Sequence, residues 1–150
     1  MITGGMGFIG SHLSEELLIE KHNLIILTKS FFKKQNITNI SKKIKVEKID
    51  VTDFKKLGKS IQKNKPDVII HLAGQTSHLQ SFENPLKDID SNAKSTLFIL
   101  EEIRKKKLKC RFILGSTFVV IGRPQKLPVD ERTPCWPTMI YGANRLASEH

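Results

Sequence analysis

Three features of the sequence predict an α/β fold with a parallel sheet. Short, nearly continuous apolar runs recur along the chain, helical hydrophobic periods lie between them, and a glycine-rich turn separates the first apolar residues from the first helical period. Apolar runs without alternation suit strands covered on both faces. Strands alternating with helices give right-handed crossovers between parallel neighbours.

Taken in order, Met1, Ile2 and Thr3 stand ahead of the glycines, and Ile9, Leu13 and Leu17 then step by four, as on the apolar stripe of a helix. Residues 24–27 (Leu-Ile-Ile-Leu) read as a buried strand, whereas Ile44 and Val46 alternate with Lys45 and Glu47 in the manner of an edge strand. Asp53 is a start signal for a helix bearing Phe54, Leu57 and Ile61, and Asn64-Lys65-Pro66 is its stop. Residues 68–72 (Val-Ile-Ile-His-Leu) form the next strand; after Pro85, another start signal, Ile89, Ala93, Leu97, Leu100 and Ile103 continue a helical period. Residues 112–114 make a further strand, and residues 139–150 read as a helix that stops without Gly, Asn or Pro. Only three residues precede Gly4, where a strand of about five is usual. The expectation is one domain over residues 1–150, truncated at both ends.

Composition narrows the function classes. A chain of 150 residues with 39% hydrophobic content can bury a real core, which excludes disorder and a stapled mini-protein. No run of about 20 apolar residues occurs, so no transmembrane helix and no membrane partner is expected. The N-terminus lacks the basic flank and apolar run of a secretory signal. Two cysteines, Cys110 and Cys135, cannot supply a four-ligand zinc site or a disulfide framework, so no metal is expected and a reducing cytoplasmic compartment is. The net charge of +10 is local: residues 21–65 hold thirteen Lys against Glu47, Asp50 and Asp53, and the rest of the chain balances. Pairs such as Lys33-Lys34 and Lys42-Lys43 have no interleaved aromatics, which favours a solvated surface and disfavours nucleic acid.

Residues 3–10 read Thr-Gly-Gly-Met-Gly-Phe-Ile-Gly; Gly5, Gly7 and Gly10 fit G-x-G-x-x-G, and Gly4, Gly7 and Gly10 fit G-x-x-G-x-x-G. A pyrophosphate needs backbone N–H groups at a helix N-terminus, where a Cβ would block the approach or strain the turn. Strand, glycine turn and helix in that order predict a dinucleotide site and a Rossmann-type, doubly wound, three-layer α/β/α sheet. Gly4, Gly7, Phe8, Ile9 and Gly10 are the candidate phosphate contacts. The second strand ends in Thr28, Lys29 and Ser30, without the acid that would accept hydrogen bonds from the ribose hydroxyls of NAD. Thr28 and Lys29 suit a 2′-phosphate, which leans the expectation from NAD towards NADP.

From these residues onward the sequence resembles the extended short-chain dehydrogenase/reductase family, the NAD-dependent epimerase/dehydratase group acting on nucleotide sugars. The opening motif matches nearly letter for letter, and the resemblance runs over essentially the whole chain. It implies adenine contacts at Asp50 and Val51, within Ile49-Asp50-Val51-Thr52-Asp53, and a strand end passing the cofactor at Leu72, Ala73 and Gly74, within His71-Leu72-Ala73-Gly74. It implies a helix-kinking structural role for Asn92. It also implies a catalytic Thr117 within Gly115-Ser116-Thr117, and a Tyr-x-x-x-Lys equivalent at Tyr141 and Arg145, both of which would also touch the cofactor. Taken singly, His71 fits a core residue, Asp50 a turn or cap, and Tyr141 ordinary packing; their order and spacing together carry the resemblance.

The implied reaction starts with oxidation of a sugar hydroxyl, with Tyr141 as base, hydride leaving for the nicotinamide and Thr117 holding the substrate oxygen. An ordinary phenol has a pKa of about 10, so work near neutrality needs roughly three units of preference for phenolate, about 4 kcal/mol. The family draws this from a Lys and the nicotinamide charge; here position 145 is Arg. Four-residue spacing puts Arg145 on the face of Tyr141, but a planar guanidinium differs from a compact ammonium, so altered or reduced activity is expected and Arg145→Lys should raise turnover. The 4,6-dehydratases follow their Thr with Asp-Glu, whereas Phe118 and Val119 follow Thr117, which disfavours dehydration. The resemblance leaves a nucleotide-sugar epimerase or keto-sugar reductase, with a catalytically weakened NAD(P)-binding or sensing module as the alternative. It further implies a nucleotide-sugar substrate, a C-terminal substrate domain outside this chain, and a homodimer formed through the helices bearing Asn92 and Tyr141.

Overall fold

The computed structural model describes residues 1–150. Five strands and six α-helices follow one another as β1 (Ile2–Thr3), α1 (Phe8–Ile19), β2 (Ile25–Thr28), β3 (Lys45–Lys48), α2 (Phe54–Asn64), β4 (Val68–His71), α3 (His78–Glu83), α4 (Pro85–Ile89), α5 (Ser95–Lys105), β5 (Arg111–Leu114) and α6 (Ile140–Glu149). Short 3-10 turns cover Lys34–Ile37, Ser41–Lys43 and Phe118–Val120, and one π-helical turn covers Asp90–Lys94. The chain forms two compact units, one of Met1–Ala73 with Phe98–Gly115 and one of Gly74–Leu97 with Ser116–His150.

The first unit holds the whole sheet. Its strand order is β3-β2-β1-β4-β5 and every pairing is parallel, the doubly wound order predicted from the alternating elements. β1 is two residues long yet central, with Ile2 paired to Ile26 and Ile70, and Thr3 to Leu27 and His71. β3 lies at the edge, as its alternation implied. Alternation within β2 splits the core: Leu27 joins Ile49, Val51, Leu57, Ile61, Ile69 and Ile99 under α2 and α5, while Ile26 joins Met6, Ile37 and Ile40 with Leu18 of α1 on the opposite face. Helices on both faces give three layers.

Helix signals hold at α2 and α4. The Asp53 side chain accepts the Lys56 N–H at 3.1 Å to cap α2, which ends on Lys65 in the left-handed region (φ 40°), and Pro85 occupies the first turn of α4. Two apolar stripes are corrected by the structure. In α1 the buried residues are Gly10, Ser11 and Ser14, and Ile9 is exposed. A helix springing from a tight glycine turn sits so close to the sheet that only small side chains fit beneath it. In α5 and the turn before it, Asn92, Ser95, Thr96 and Ile99 are buried while Leu97 and Leu100 are exposed. The extra residue of the π turn rotates the following face away from its sequence register.

Candidate functional site

In the first unit, the turn between β1 and α1 is built from backbone. The Gly4 amide donates to the Leu27 carbonyl at 2.9 Å, and the Gly7 amide donates to the Gly4 carbonyl at 2.8 Å. Gly4 has φ +69°, and a Cβ there would stand 2.9 Å from the Ala73 nitrogen. At Gly10 a Cβ would stand 2.6 Å from the Gly4 oxygen. Thus both glycines are required, one by its dihedral and by close approach, the other by close approach alone. Gly7 caps α1 without a side-chain acceptor, and the first turn carries no acid. The amides of Phe8, Ile9 and Gly10 therefore present the positive end of a twelve-residue helix to an anion. A helix start without a side-chain cap or an acid fits a dinucleotide pyrophosphate.

Neighbouring strand ends complete this surface. Thr28 Oγ1 donates to the Ser30 carbonyl at 2.8 Å, with Lys29 exposed beside it. Asn36 Nδ2 donates to the Met6 carbonyl at 3.0 Å and ties the segment after β2 to the glycine turn. Val51 is buried, and Asp50 Oδ1 accepts from the Thr52 amide at 3.0 Å and from its hydroxyl at 2.8 Å, an Asx turn. Buried Thr3 Oγ1 pairs with His71 Nδ1 at 2.7 Å and accepts the Ala73 N–H at 3.1 Å, fixing the end of β4, with Leu72 half-buried between them. His71 is thereby a core residue.

The second unit gathers the remaining candidates. Tyr141 and Arg145 lie one turn apart on α6, both buried, and the His78 ring stacks on the Tyr141 ring with centroids 5.6 Å apart. Arg145 Nη1 reaches Asn92 Oδ1 at 3.5 Å, and Asn92 Nδ2 donates to the Gln75 carbonyl at 3.1 Å. Asn92 sits within the π turn, the break its resemblance implied. Any side chain at Gly74 would collide with Asn92 Oδ1. Thr117 caps the 3-10 turn over Phe118–Val120, its Oγ1 accepting the Val119 N–H at 3.3 Å, and that turn packs on α6. Burial pulls the Arg145 guanidinium below the ordinary arginine value, while Tyr141, Glu149 and Asp88 pull it back up.

Sequence reasoning missed the residues that hold this group in place. Asp88, almost fully buried, accepts from Asn144 Nδ2 at 2.7 Å and from Gln75 Nε2 at 3.2 Å, and Ser116 Oγ bonds to Glu149. Asp88 lies between Lys87 and Asp90 in sequence, where it reads as part of a solvated polar face. The only clue was its place in the first turn after Pro85.

A parallel sheet of this order, with a glycine turn opening the helix after its central strand, defines the class of dinucleotide-binding α/β proteins. Residues 1–150 match the family described as GDP-mannose 4,6 dehydratase, and the chain belongs to that family, within the extended short-chain dehydrogenases/reductases. A Methanocaldococcus jannaschii protein provisionally named a UDP-glucose 4-epimerase is 36% identical over 149 residues, 99% of this chain and 48% of that protein. Among solved structures, the UDP-Glc/GlcNAc 4-epimerase of Campylobacter jejuni superimposes with a TM-score of 0.88 at 30% identity, over 99% of this chain and 46% of that one. The Thermus thermophilus UDP-glucose 4-epimerase, in complex with NAD, gives a TM-score of 0.87 at 29% identity, over 99% and 48%. The chain spans about half the length of the curated relatives it matches. No helix is long and apolar enough to cross a membrane.

Proposed function

We propose that the chain is the cofactor-binding and proton-transfer part of an NAD(P)-dependent nucleotide-sugar epimerase or keto-sugar reductase, acting on a UDP-hexose or a close relative. The observation that carries this reading is the Gly4–Gly10 turn, whose close backbone packing at Gly4 and Gly10 starts α1 directly after β1 and leaves its first amides without a side-chain cap or a first-turn acid. Gly4, Gly7, Phe8, Ile9 and Gly10 hold the phosphates, Asp50 and Val51 the adenine, Thr28 and Lys29 the ribose end, and Leu72, Ala73 and Gly74 line the rest. Lys29 suits a 2′-phosphate, whereas the Thr28 hydroxyl donates its proton to Ser30 and the Thermus relative was crystallised with NAD, so both cofactors are tested.

When bound, the nicotinamide supplies the hydride acceptor and donor. Tyr141 takes the proton from the sugar hydroxyl as phenolate, and the Arg145 charge one turn later favours that form. Thr117 Oγ1 donates to the reacting oxygen and steadies its developing charge. Phe118 and Val119, which follow Thr117, carry no ionisable group, so water elimination lacks an acid and a base there even though the matching family is described as a dehydratase.

The test is incubation of the full-length protein with UDP-, dTDP-, CDP- and GDP-sugars and either cofactor. The expected result is epimer interconversion or ketone reduction in the wild type, with cofactor affinity kept and turnover lost in Tyr141→Phe. Cofactor binding with no turnover of any sugar would refute the enzyme reading and support a sensing module, to which Arg145 in the lysine position is the pointer.

A further inference from the structure

We propose that Asp88 is a positioning residue: its buried carboxylate, clamped between Gln75 and Asn144, anchors the helix that carries Tyr141 and Arg145 and sets a buried negative charge against that helix. The inference rests on the reading of Tyr141 as the base.

A carboxylate that is 1% exposed requires compensation, because burying an unpaired charge costs several kcal/mol. Each Asp88 oxygen takes one amide: Oδ1 accepts from Asn144 at 2.7 Å and Oδ2 from Gln75 at 3.2 Å. Both donors are neutral, and the bond to Asn144 brings the carboxylate to the residue next to Arg145 on α6, whose charged form Tyr141, Glu149 and Asp88 favour in that order. A first-turn acid that served only the α4 dipole would point to solvent or to its own helix. Asp88 instead reaches α6.

The contacts close into a ring. Asp88 takes Gln75, the Gln75 carbonyl takes Asn92, Asn92 takes Arg145, and Asn144, the residue before Arg145, returns to Asp88. Asn144 is three residues after Tyr141, so its bond fixes both the rotation and the height of α6 at the phenol. The charged and titratable groups around this stretch are His78, stacked on Tyr141, together with Arg145, Glu149 and Asp88. Of these, Asp88 is the buried anion. Its negative charge disfavours a second one on the phenol, and its bond to Asn144 keeps the phenol in place.

The test uses the full-length protein and reads the Tyr141 phenol directly, by ultraviolet titration against a Tyr141→Phe reference. Asp88→Asn keeps the size of the side chain, removes the charge and replaces one of the two acceptor oxygens by an amide that cannot accept from Gln75 or Asn144. The phenol should then titrate about one pH unit lower, a size typical of losing one nearby charge. Turnover should fall about tenfold with KM within about twofold, as positioning losses do. A purely structural role would lower turnover without moving the phenol, so an unmoved titration overturns the proposal. Should Asp88→Asn fail to fold, Asn144→Ala releases the carboxylate from α6 and should move the titration in the same direction by a smaller amount; no movement overturns the proposal equally. Neither titration needs turnover, so a wild type inactive on every sugar refutes the epimerase reading and leaves the Asp88 proposal to be judged on the phenol alone.

Discussion

Gly10→Ala probes the phosphate turn with a single methyl group. The new Cβ would lie 2.6 Å from both the Gly4 oxygen and the Gly5 Cα, and ordinary contact begins at 3.4 Å, so helix and turn must part by about 0.8 Å. Because both obstacles are backbone, no side-chain rotation can absorb the clash. A displacement of that size carries an amide out of hydrogen-bonding range of a phosphate oxygen. One charge-assisted bond is worth about 1.5–3 kcal/mol, which at 1.4 kcal/mol per decade makes cofactor binding about 10- to 100-fold weaker. Overpacking of the same kind should cost about 1–3 kcal/mol of stability. Isothermal titration with NAD and NADP measures the first effect, and thermal unfolding the second. Gly58→Ala on α2 is the control, since its Cβ would meet the Phe98 ring at 3.2 Å and affects no residue of the turn, so affinity should hold. Wild-type affinity in Gly10→Ala would refute the assignment of this turn to the pyrophosphate.

Further outcomes are expected elsewhere in the chain. Thr3→Val removes the hydroxyl that meets His71 and the Ala73 amide and should lower stability by about 1–3 kcal/mol, seen as a lower urea midpoint at constant m-value. At Glu47, burial pushes the carboxyl up, but hydrogen bonds from Lys45, Ser60 and Asn64 and the Lys45 charge outweigh it and hold the group below the ordinary value. A depressed folded value adds stability above the unfolded pKa of about 4.3 and loses it as pH falls through the folded one. Glu47→Gln should therefore cost about 1 kcal/mol at pH 7 and less at acid pH; a cost unchanged in acid would contradict the network. Arg145→Lys should raise turnover by supplying a compact donor, and a fall would show the guanidinium to be adapted to its contact with Asn92.

The sheet was legible because its strands announce themselves. Ile25–Thr28, Val68–His71 and Arg111–Leu114 coincide with apolar runs, and Lys45–Lys48 with an alternating one. The glycine turn was legible because the approach of Gly4 to Ala73 and of Gly10 to Gly4 and Gly5 restricts side chains to hydrogen. The faces of α1 and α5 were not, although Leu57 and Ile61 of α2 are buried as their spacing implied. Ser11, Ser14, Ser95 and Thr96 are buried where Ile9, Leu97 and Leu100 were expected, since close packing selects for size as well as polarity and a π turn breaks the period. Asp88 was illegible for a different reason. Its burial depends on Gln75 and Asn144, thirteen and fifty-six residues away, and no local pattern encodes such partners.

The most direct measurement is a crystal structure of the protein grown with NAD or NADP. The predicted result is pyrophosphate oxygens within hydrogen-bonding distance of the Phe8 and Ile9 amides, at the start of α1. A dinucleotide bound elsewhere, with this turn contacting only solvent, would contradict it.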